Sequence, residues 1–338
     1  MRILEQPSAN HLVMELLHVD TSFVNALRRI LLAEVATVAL EHIYMWNNTS
    51  IIHDEVLAHR LGLIPLNADA RLLDEPDPED DSPTDRNTIV FRLAVTCPSK
   101  PPSNNKKPAD TSDDEEVTVA QQDQAVIDSV GEAATAGQKL QFPKDRPYTK
   151  HVYSKDLVWV PQGDQEERFP FPIKPIHDDI LIAKLRPGQA IEVEAHARRG
   201  IGKDHAKYSP VATASYRLMP KIDIVHDVYD DLAEELVHVY EPGVFELIPT
   251  DPAQDPPGTK QKVKLVNPYA CTMSRNFMRN PQLEKSIKMS RITDHFIFSI
   301  ESVGTYKPAI LMAEALRVLQ RKCQKLSDHI DESQQADD

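Results

Sequence analysis

The sequence predicts an α+β protein, and three observations carry that expectation. Apolar residues recur at helical spacing near both ends, over residues 20–33 and again over 308–326. Between them, Ile89, Phe91, Leu93 and Val95 fall on one face with Arg92 and Thr96 on the other. Ile191, Val193 and Ala195 likewise alternate with Glu192, Glu194 and His196, the period of half-buried strands. The length, 338 residues, is enough for about two domains.

Taken in order, residues 11–19 read as a strand, with Leu12, Val13, Met14, Leu16, Leu17 and Val19. Asp20, Thr21 and Ser22 then offer capping oxygens where a helix begins. Phe23, Leu27, Ile30 and Leu31 recur at helical spacing, and Val24, Ala26, Leu32 and Ala33 are apolar too. Only Asn25, Arg28 and Arg29 make a polar strip. A helix on one core needs an apolar stripe over roughly a third of its girth. This one has surface for two neighbours, or lies inside a single domain; the pattern allows both.

Residues 35–46 are rich in β-branched and aromatic side chains, and Asn47 and Asn48 supply a turn. Ser50 is placed to cap a second helix, with Asp54 and Glu55 in its first turn and Gly62 and Pro65 at its end. His53 and His59 stand six apart, on opposite helix faces, where a zinc helix needs two histidines four apart. No metal is expected there.

At residue 67 the composition shifts. Residues 72–85 are acidic and broken by proline, the strand over 87–97 follows, and 98–141 are low in complexity with blocks of charge. Such a segment cannot bury enough apolar surface to offset its ordering entropy, so disorder is expected. Residues 151–160 read as a strand, 180–185 as a short turn of helix, and Pro187-Gly188 as a turn.

The stretch RRGIGKDHAKYSP (198–210) invites a nucleotide-binding reading, which its spacing defeats. Gly200 and Gly202 are two apart, and Asp204 follows Lys203 where a phosphate loop needs Ser or Thr. His205 stands where a dinucleotide fingerprint needs a third glycine. What remains is a basic loop, with Arg198, Arg199, Lys203 and Lys207 around flexible backbone and Asp204 and His205 beside them. It is either an exposed hairpin that happens to be basic or a docking point for another protein's carboxylates.

Strands are expected at 213–218 and 222–225, then at 244–248 and 262–266 across a proline-rich loop. In the last strand Ile292, Phe296, Phe298 and Ile300 share a face. Pro308 opens a helix in which Met312, Leu319 and Leu326 are seven apart, with Leu316 and Cys323 between them. This near-heptad seam fits the chain's own sheet or a partner helix. Arg317, Arg321, Lys322 and Lys325 lie toward its C-terminal end, favourable to the helix dipole.

Composition narrows the function. With 38 basic and 52 acidic residues the formal charge is −14, the wrong sign for gripping phosphates over a broad face. Little or no direct nucleic-acid contact is therefore expected. Cys97, Cys271 and Cys323 are odd in number and far apart, which argues against a disulfide framework and suits a reducing compartment. No signal peptide is visible and no apolar run approaches the roughly 20 residues of a membrane span, so a soluble, intracellular chain without a membrane partner is expected. No acid–base pair, nucleophile or carboxylate–metal triad shows a persuasive spacing, so no cofactor and no catalysis are expected.

The stretch NALRRILLAEVATVALEHIYMWNNTSIIHDEVLAHRLGLIPL (25–66) resembles the alpha-like subunit family of multisubunit RNA polymerases, and GIGKDHAKYSP (200–210) resembles a signature of its archaeal and eukaryotic members. NNTSIIHDEVLAHRLGLIPL (47–66) resembles the branch formed by the 40-kDa subunit shared by RNA polymerases I and III. Some archaeal relatives carry a ferredoxin-like cysteine cluster where this chain has only Cys271. The RNA polymerase II relative carries a zinc-binding cysteine group in the inserted domain, where this chain has only Cys97. Four thiolates are typically needed for an iron–sulfur cluster, so both relatives fit less well as readings.

The resemblance implies an alpha-subunit-type dimerisation domain, a sheet plus two long helices, over residues 1–66 and 216–338. A mostly-β domain over 67–215 would be inserted in it. It implies a non-catalytic scaffold of RNA polymerases I and III, in the nucleus including the nucleolus, serving rRNA, 5S rRNA and tRNA transcription. The implied partners are a small alpha-like subunit of about 19 kDa, the two large catalytic subunits and small zinc-containing subunits. The dimer interface would use Phe23, Leu27, Ile30, Leu31, Met312, Leu316, Leu319, Cys323 and Leu326, each large apolar side chain contributing roughly 1.5–3 kcal/mol when buried. Docking to the large subunits would use Arg28, Arg29, Arg198, Arg199, Lys203, Asp204, His205 and Lys207. The rival readings are the third-largest subunit of another RNA polymerase, a free-standing dimerising regulator, and a nucleotide-dependent enzyme using the glycine loop.

Overall fold

The computed structural model describes residues 1–75, 82–98, 148–251 and 255–336. The segment 98–141, expected to be disordered, lies outside the described residues from residue 99 onward. β1 (Arg2–Ser8) and β2 (His11–Leu17) form a hairpin that leads into α1 (Thr21–Ala33). As the sequence indicates, Asp20 caps this helix, its carboxylate accepting from the Ser22 amide at 2.7 Å.

The chain then crosses to a second layer. There it builds β3 (Ala36–Asn48), α2 (Asp54–Gly62), β4 (Thr88–Thr96), β5 (Lys150–Tyr153) and β6 (Val158–Val160). The one-turn α3 (Gln165–Arg168), β7 (Leu181–Leu185) and β8 (Ala190–Ile201) complete that layer. The chain returns through β9 (Val211–Ile224), then forms α4 (Asp230–Val239), β10 (Phe245–Pro249), β11 (Gln261–Leu265) and α5 (Pro281–Ser286). It ends with β12 (Ile287–Ser302) and the 29-residue α6 (Pro308–Ala336).

Two antiparallel four-stranded sheets organise these elements, with strand orders β1-β2-β12-β9 and β3-β8-β4-β6. α1 and the first turns of α6 cover one face of the first sheet, where Leu12, Met14, Leu16, Phe296, Phe298 and Ile300 form a core. A second core lies under the other sheet, around Leu57, Leu61, Ile89, Phe91, Leu93 and Val193. A third joins α4, α5 and the β10–β11 ribbon through Leu236, Phe245, Phe277 and Leu283. No helix of the described residues is long and apolar enough to cross a membrane.

The pairing moves the expected domain boundaries. β3 lies beside β8, with Val38 opposite Arg199 and Leu40 opposite Ala197, and Val38, Leu40 and Leu66 belong to the second core. β3 and the stretch through Leu66 therefore pack with the strands over 88–201, across the boundary expected at residue 67. The composition shift at residue 67 marks a change of sequence character, but a strand belongs where its hydrogen bonds and apolar face are satisfied.

Other expectations shift for local reasons. Residues 181–185 form a strand rather than a helical turn, because β5 supplies a ladder for them. The strands expected at 213–218 and 222–225 are one continuous β9. Ile292 sits beyond a bulge in β12 and falls out of the row formed by Phe296, Phe298 and Ile300. α2 is capped at His53, with no side-chain bond, while the Ser50 hydroxyl is taken up by Asn48.

Candidate docking surfaces

α1 finds both of its neighbours inside its own chain. Val24, Leu27, Ile30 and Leu31 are buried between the first sheet and Leu311, Met312 and Ala315 of α6. This corrects the expected interface: Leu27, Ile30, Leu31 and Met312 are covered by the chain itself and leave no surface for a second protein. The apolar girth of α1 is used up by a helix that arrives about 280 residues later in the sequence.

Of the other expected interface residues, Phe23 (36%), Leu316 (37%), Leu326 (63%) and Cys323 are exposed, while Leu319 is half-buried and packs partly against the chain's own core. Ile330, 50% exposed, continues the row, so Leu316, Leu319, Cys323, Leu326 and Ile330 repeat at alternating steps of three and four. Sequence reading stopped one position short; the signal was the seven-residue step from Cys323 to Ile330.

Every residue from 320 to 333 is exposed, so α6 runs on for about 20 Å at 1.5 Å per residue with no covering neighbour among the described residues. A helix this short is marginal in water unless something packs on it. Its base is tied to the end of α1 by Lys322 and Glu34, 2.8 Å apart.

The basic glycine loop divides into clamps and free groups. Arg198 is buried, with its Nε donating to the Thr88 hydroxyl at 3.3 Å. Lys207 donates to the Leu40 carbonyl at 3.0 Å and pairs with Glu41 at 2.5 Å. Both were expected on a docking surface, and both are instead internal ties: Arg198 lies on β8 opposite Thr88 of β4, and Lys207 folds back across β3. Arg199 reaches the Leu73 carbonyl at 3.1 Å and Glu75 at 2.8 Å. Lys203, Asp204 and His205 remain exposed.

On α1, Arg28 bonds Asn25 at 2.9 and 3.1 Å. Arg29 is exposed and makes no hydrogen bond or ion pair among the described residues.

The glycines serve close packing rather than phosphate. A Cβ on Gly200 would lie 2.6 Å from the Tyr208 ring, and one on Gly202 would lie 2.2 Å from the Leu32 carbonyl oxygen at the end of α1. The second contact is with backbone, which cannot swing aside. Gly202→Ala therefore costs about 1–3 kcal/mol by forced backbone movement, read as a lower urea midpoint at unchanged slope.

The loop's electrostatics point the same way. Burial works against the charge on Glu41, but hydrogen bonds from Lys207 and Tyr208 outweigh it and hold its carboxyl below the ordinary range. Burial, with Glu41 beside it, pushes the Tyr208 phenol up. A carboxyl depressed in the folded state adds stability above its unfolded pKa, and that stability fades as pH falls through the depressed value. Glu41→Gln should thus lower stability by about 1 kcal/mol at pH 7, the partly exposed carboxylate being discounted for solvent screening. The gap to the parent should close as pH falls below about 4. Thermal midpoints of both proteins across that range check it.

A second tie joins the inserted part to α6. The Tyr306 hydroxyl donates to Asp69 at 3.2 Å and accepts from the Ala70 amide at 2.8 Å, while Arg71 bridges Asp69 at 2.6 Å and Glu314 at 3.1 Å. His59 meets His205 edge to face at 6.0 Å, and no group of three His, Cys, Asp or Glu side chains gathers as a metal site among the described residues. Cys271 is buried, and its sulfur accepts from the Met273 amide at 3.3 Å.

Residues 14–323 match the family described as the RNA polymerase Rpb3/Rpb11 dimerisation domain. The DNA-directed RNA polymerases I and III subunit RPAC1 of Bos taurus is 43% identical over 324 residues, 95% of this chain and 82% of that protein. Its namesake in Saccharomyces cerevisiae is 38% identical over 318 residues, 93% of this chain and 82% of that protein. The DNA-directed RNA polymerase II subunit rpb3 of Dictyostelium discoideum is 28% identical over 317 residues, covering 92% and 88%.

Proposed function

Because the chain belongs to the RNA polymerase Rpb3/Rpb11 dimerisation-domain family, we propose that it is the non-catalytic assembly subunit of DNA-directed RNA polymerases I and III. It pairs with a small alpha-like subunit, and the pair forms the platform on which the two large catalytic subunits assemble, with small zinc-containing subunits alongside. The work is done in the nucleus, including the nucleolus. The observation that carries this reading is the exposed apolar row of Leu316, Cys323, Leu326 and Ile330, most of it on the overhanging part of α6. A helix that leaves its fold with an apolar heptad row uncovered is built to lie against a second helix.

The platform's other surface is polar. Arg29 faces out from α1, on the helix that closes the core behind it. Arg29→Glu should leave the two-chain unit intact and block its capture by a large subunit, because a reversed charge repels where the parent attracts. Affinity purification of the variant, with both partners blotted, gives the answer; undiminished capture would make Arg29 ordinary surface. Native purification of the tagged parent chain tests the reading as a whole. It should return the small subunit and both large ones. A chain that comes back alone, or with no polymerase subunit, contradicts it, and a flat calorimetric titration with ATP and GTP disposes of the nucleotide enzyme.

A further inference from the structure

Two adjoining clefts share Ala36, Arg199, Val318 and Arg321, and so form one groove between α6 and the end of β8. On a chain of charge −14 this groove is lined by six cations and four carboxylates. Three of the four carboxylates are engaged, Glu314 with Arg71 and Arg317, Glu75 with Arg199, and Glu34 with Lys322, while Asp204 makes no ion pair among the described residues. Two cations are left over. Arg321 and Lys325 are exposed and make no hydrogen bond or ion pair among the described residues. They stand four apart on α6 and therefore share a face, with about 5–6 Å between their Cβ atoms.

That face is not the seam. At 100° per residue, Arg317, Arg321 and Lys325 lie nearly opposite Leu316, Cys323 and Ile330 around the helix axis. A partner helix seated on the seam leaves the groove open. The walls also tell what fits. A nucleic-acid backbone, charged at every residue, would meet only two unpaired cations here, with the unpaired Asp204 beside them. A peptide can set its carboxylates opposite the two free cations and lay small or apolar residues over Ala36 and Val318.

We propose that this groove docks an extended acidic peptide segment, two of whose carboxylates pair with Arg321 and Lys325, supplied by an assembly partner other than the small alpha-like subunit. The inference rests on the assembly reading above and adds the chemistry of one contact.

The test uses the full chain in its native assembly, with the photo-crosslinking residue p-benzoylphenylalanine introduced as Arg317→p-benzoylphenylalanine in the groove and, separately, as Leu326→p-benzoylphenylalanine on the seam. The groove position should yield a crosslinked peptide rich in Asp and Glu from a subunit other than the small one. Adding Arg321→Glu and Lys325→Glu should reduce that product about tenfold, roughly 1.4 kcal/mol. A groove product from nucleic acid, from the small subunit or from this chain itself overturns the proposal. So does no product, or one indifferent to the charge reversals. The seam position keeps the two readings apart: if it still captures the small subunit, only the groove has failed, and if it does not, the assembly reading has failed with it.

Discussion

Leu27→Asp should yield no folded chain. Leu27 is wholly buried, packed between the first sheet and the opening turns of α6. Truncating such a leucine to alanine costs about 2–5 kcal/mol through lost transfer energy and the cavity left behind. A carboxylate in its place adds the several kcal/mol of an unpaired buried charge. Against a domain stability of about 5–15 kcal/mol, the sum leaves little or nothing. The expected result is insoluble or unfolded protein by circular dichroism, while Leu27→Ala remains folded with a clearly lower denaturant midpoint. Should Leu27→Asp fold normally and lose only its partner, α1 would be the interface that the sequence pattern first allowed, and its packing against α6 would be mistaken.

Leu326→Asp with Ile330→Asp should do the reverse. Both side chains are at least half exposed, so an added carboxylate meets solvent in the free chain and the fold is kept. In the paired state the same charges would be buried without partners. Two large apolar contacts, each contributing roughly 1.5–3 kcal/mol, are lost as well. Pairing should weaken by more than a hundredfold, about 3 kcal/mol or more. Surface charge changes nearby, such as Arg317→Ala, should alter it far less, since exposed ion pairs contribute about 0–1 kcal/mol.

The contrast between these two variants shows how far the sequence could be read. Local signals were sound: the Asp20 cap, the apolar row of α1, the alternation in β4 and β8 and the opening of α6 at Pro308 all appear where their patterns place them. Periodicity tells that a residue is covered but not by what. Leu27 and Leu326 carry the same helical signal, yet one faces the chain's own α6 and the other is exposed among the described residues. The inserted part failed for a related reason. β3 follows α1 in sequence but completes its ladder on β8, roughly 150 residues away, and no local pattern records that pairing.

α4 carries a signal that could have found it, since Leu232, Ala233, Leu236 and Val237 recur at helical spacing behind Asp230 and Asp231; its burial comes from the β10–β11 ribbon and α5. In the glycine loop, residue type again promised more than it delivered. Arg198 and Lys207 looked like docking cations beside Lys203, but acceptors on β4 and β3 hold them inside. Lys203 of the loop itself stays exposed, and two further free cations near it, Arg321 and Lys325, come from the far end of the chain. Family resemblance supplied what local pattern could not: that these two ends belong to one platform.

The most direct measurement is two-chain pairing itself. The full chain and the small alpha-like subunit are co-expressed and sized by light scattering, with the parent and with the Leu326→Asp, Ile330→Asp variant. The parent should run as a one-to-one pair, and the variant as a folded single chain with unchanged far-ultraviolet circular dichroism. A variant that pairs as tightly as the parent, or a parent that does not pair at all, would contradict the claim that the exposed seam of α6 is where this protein begins its assembly.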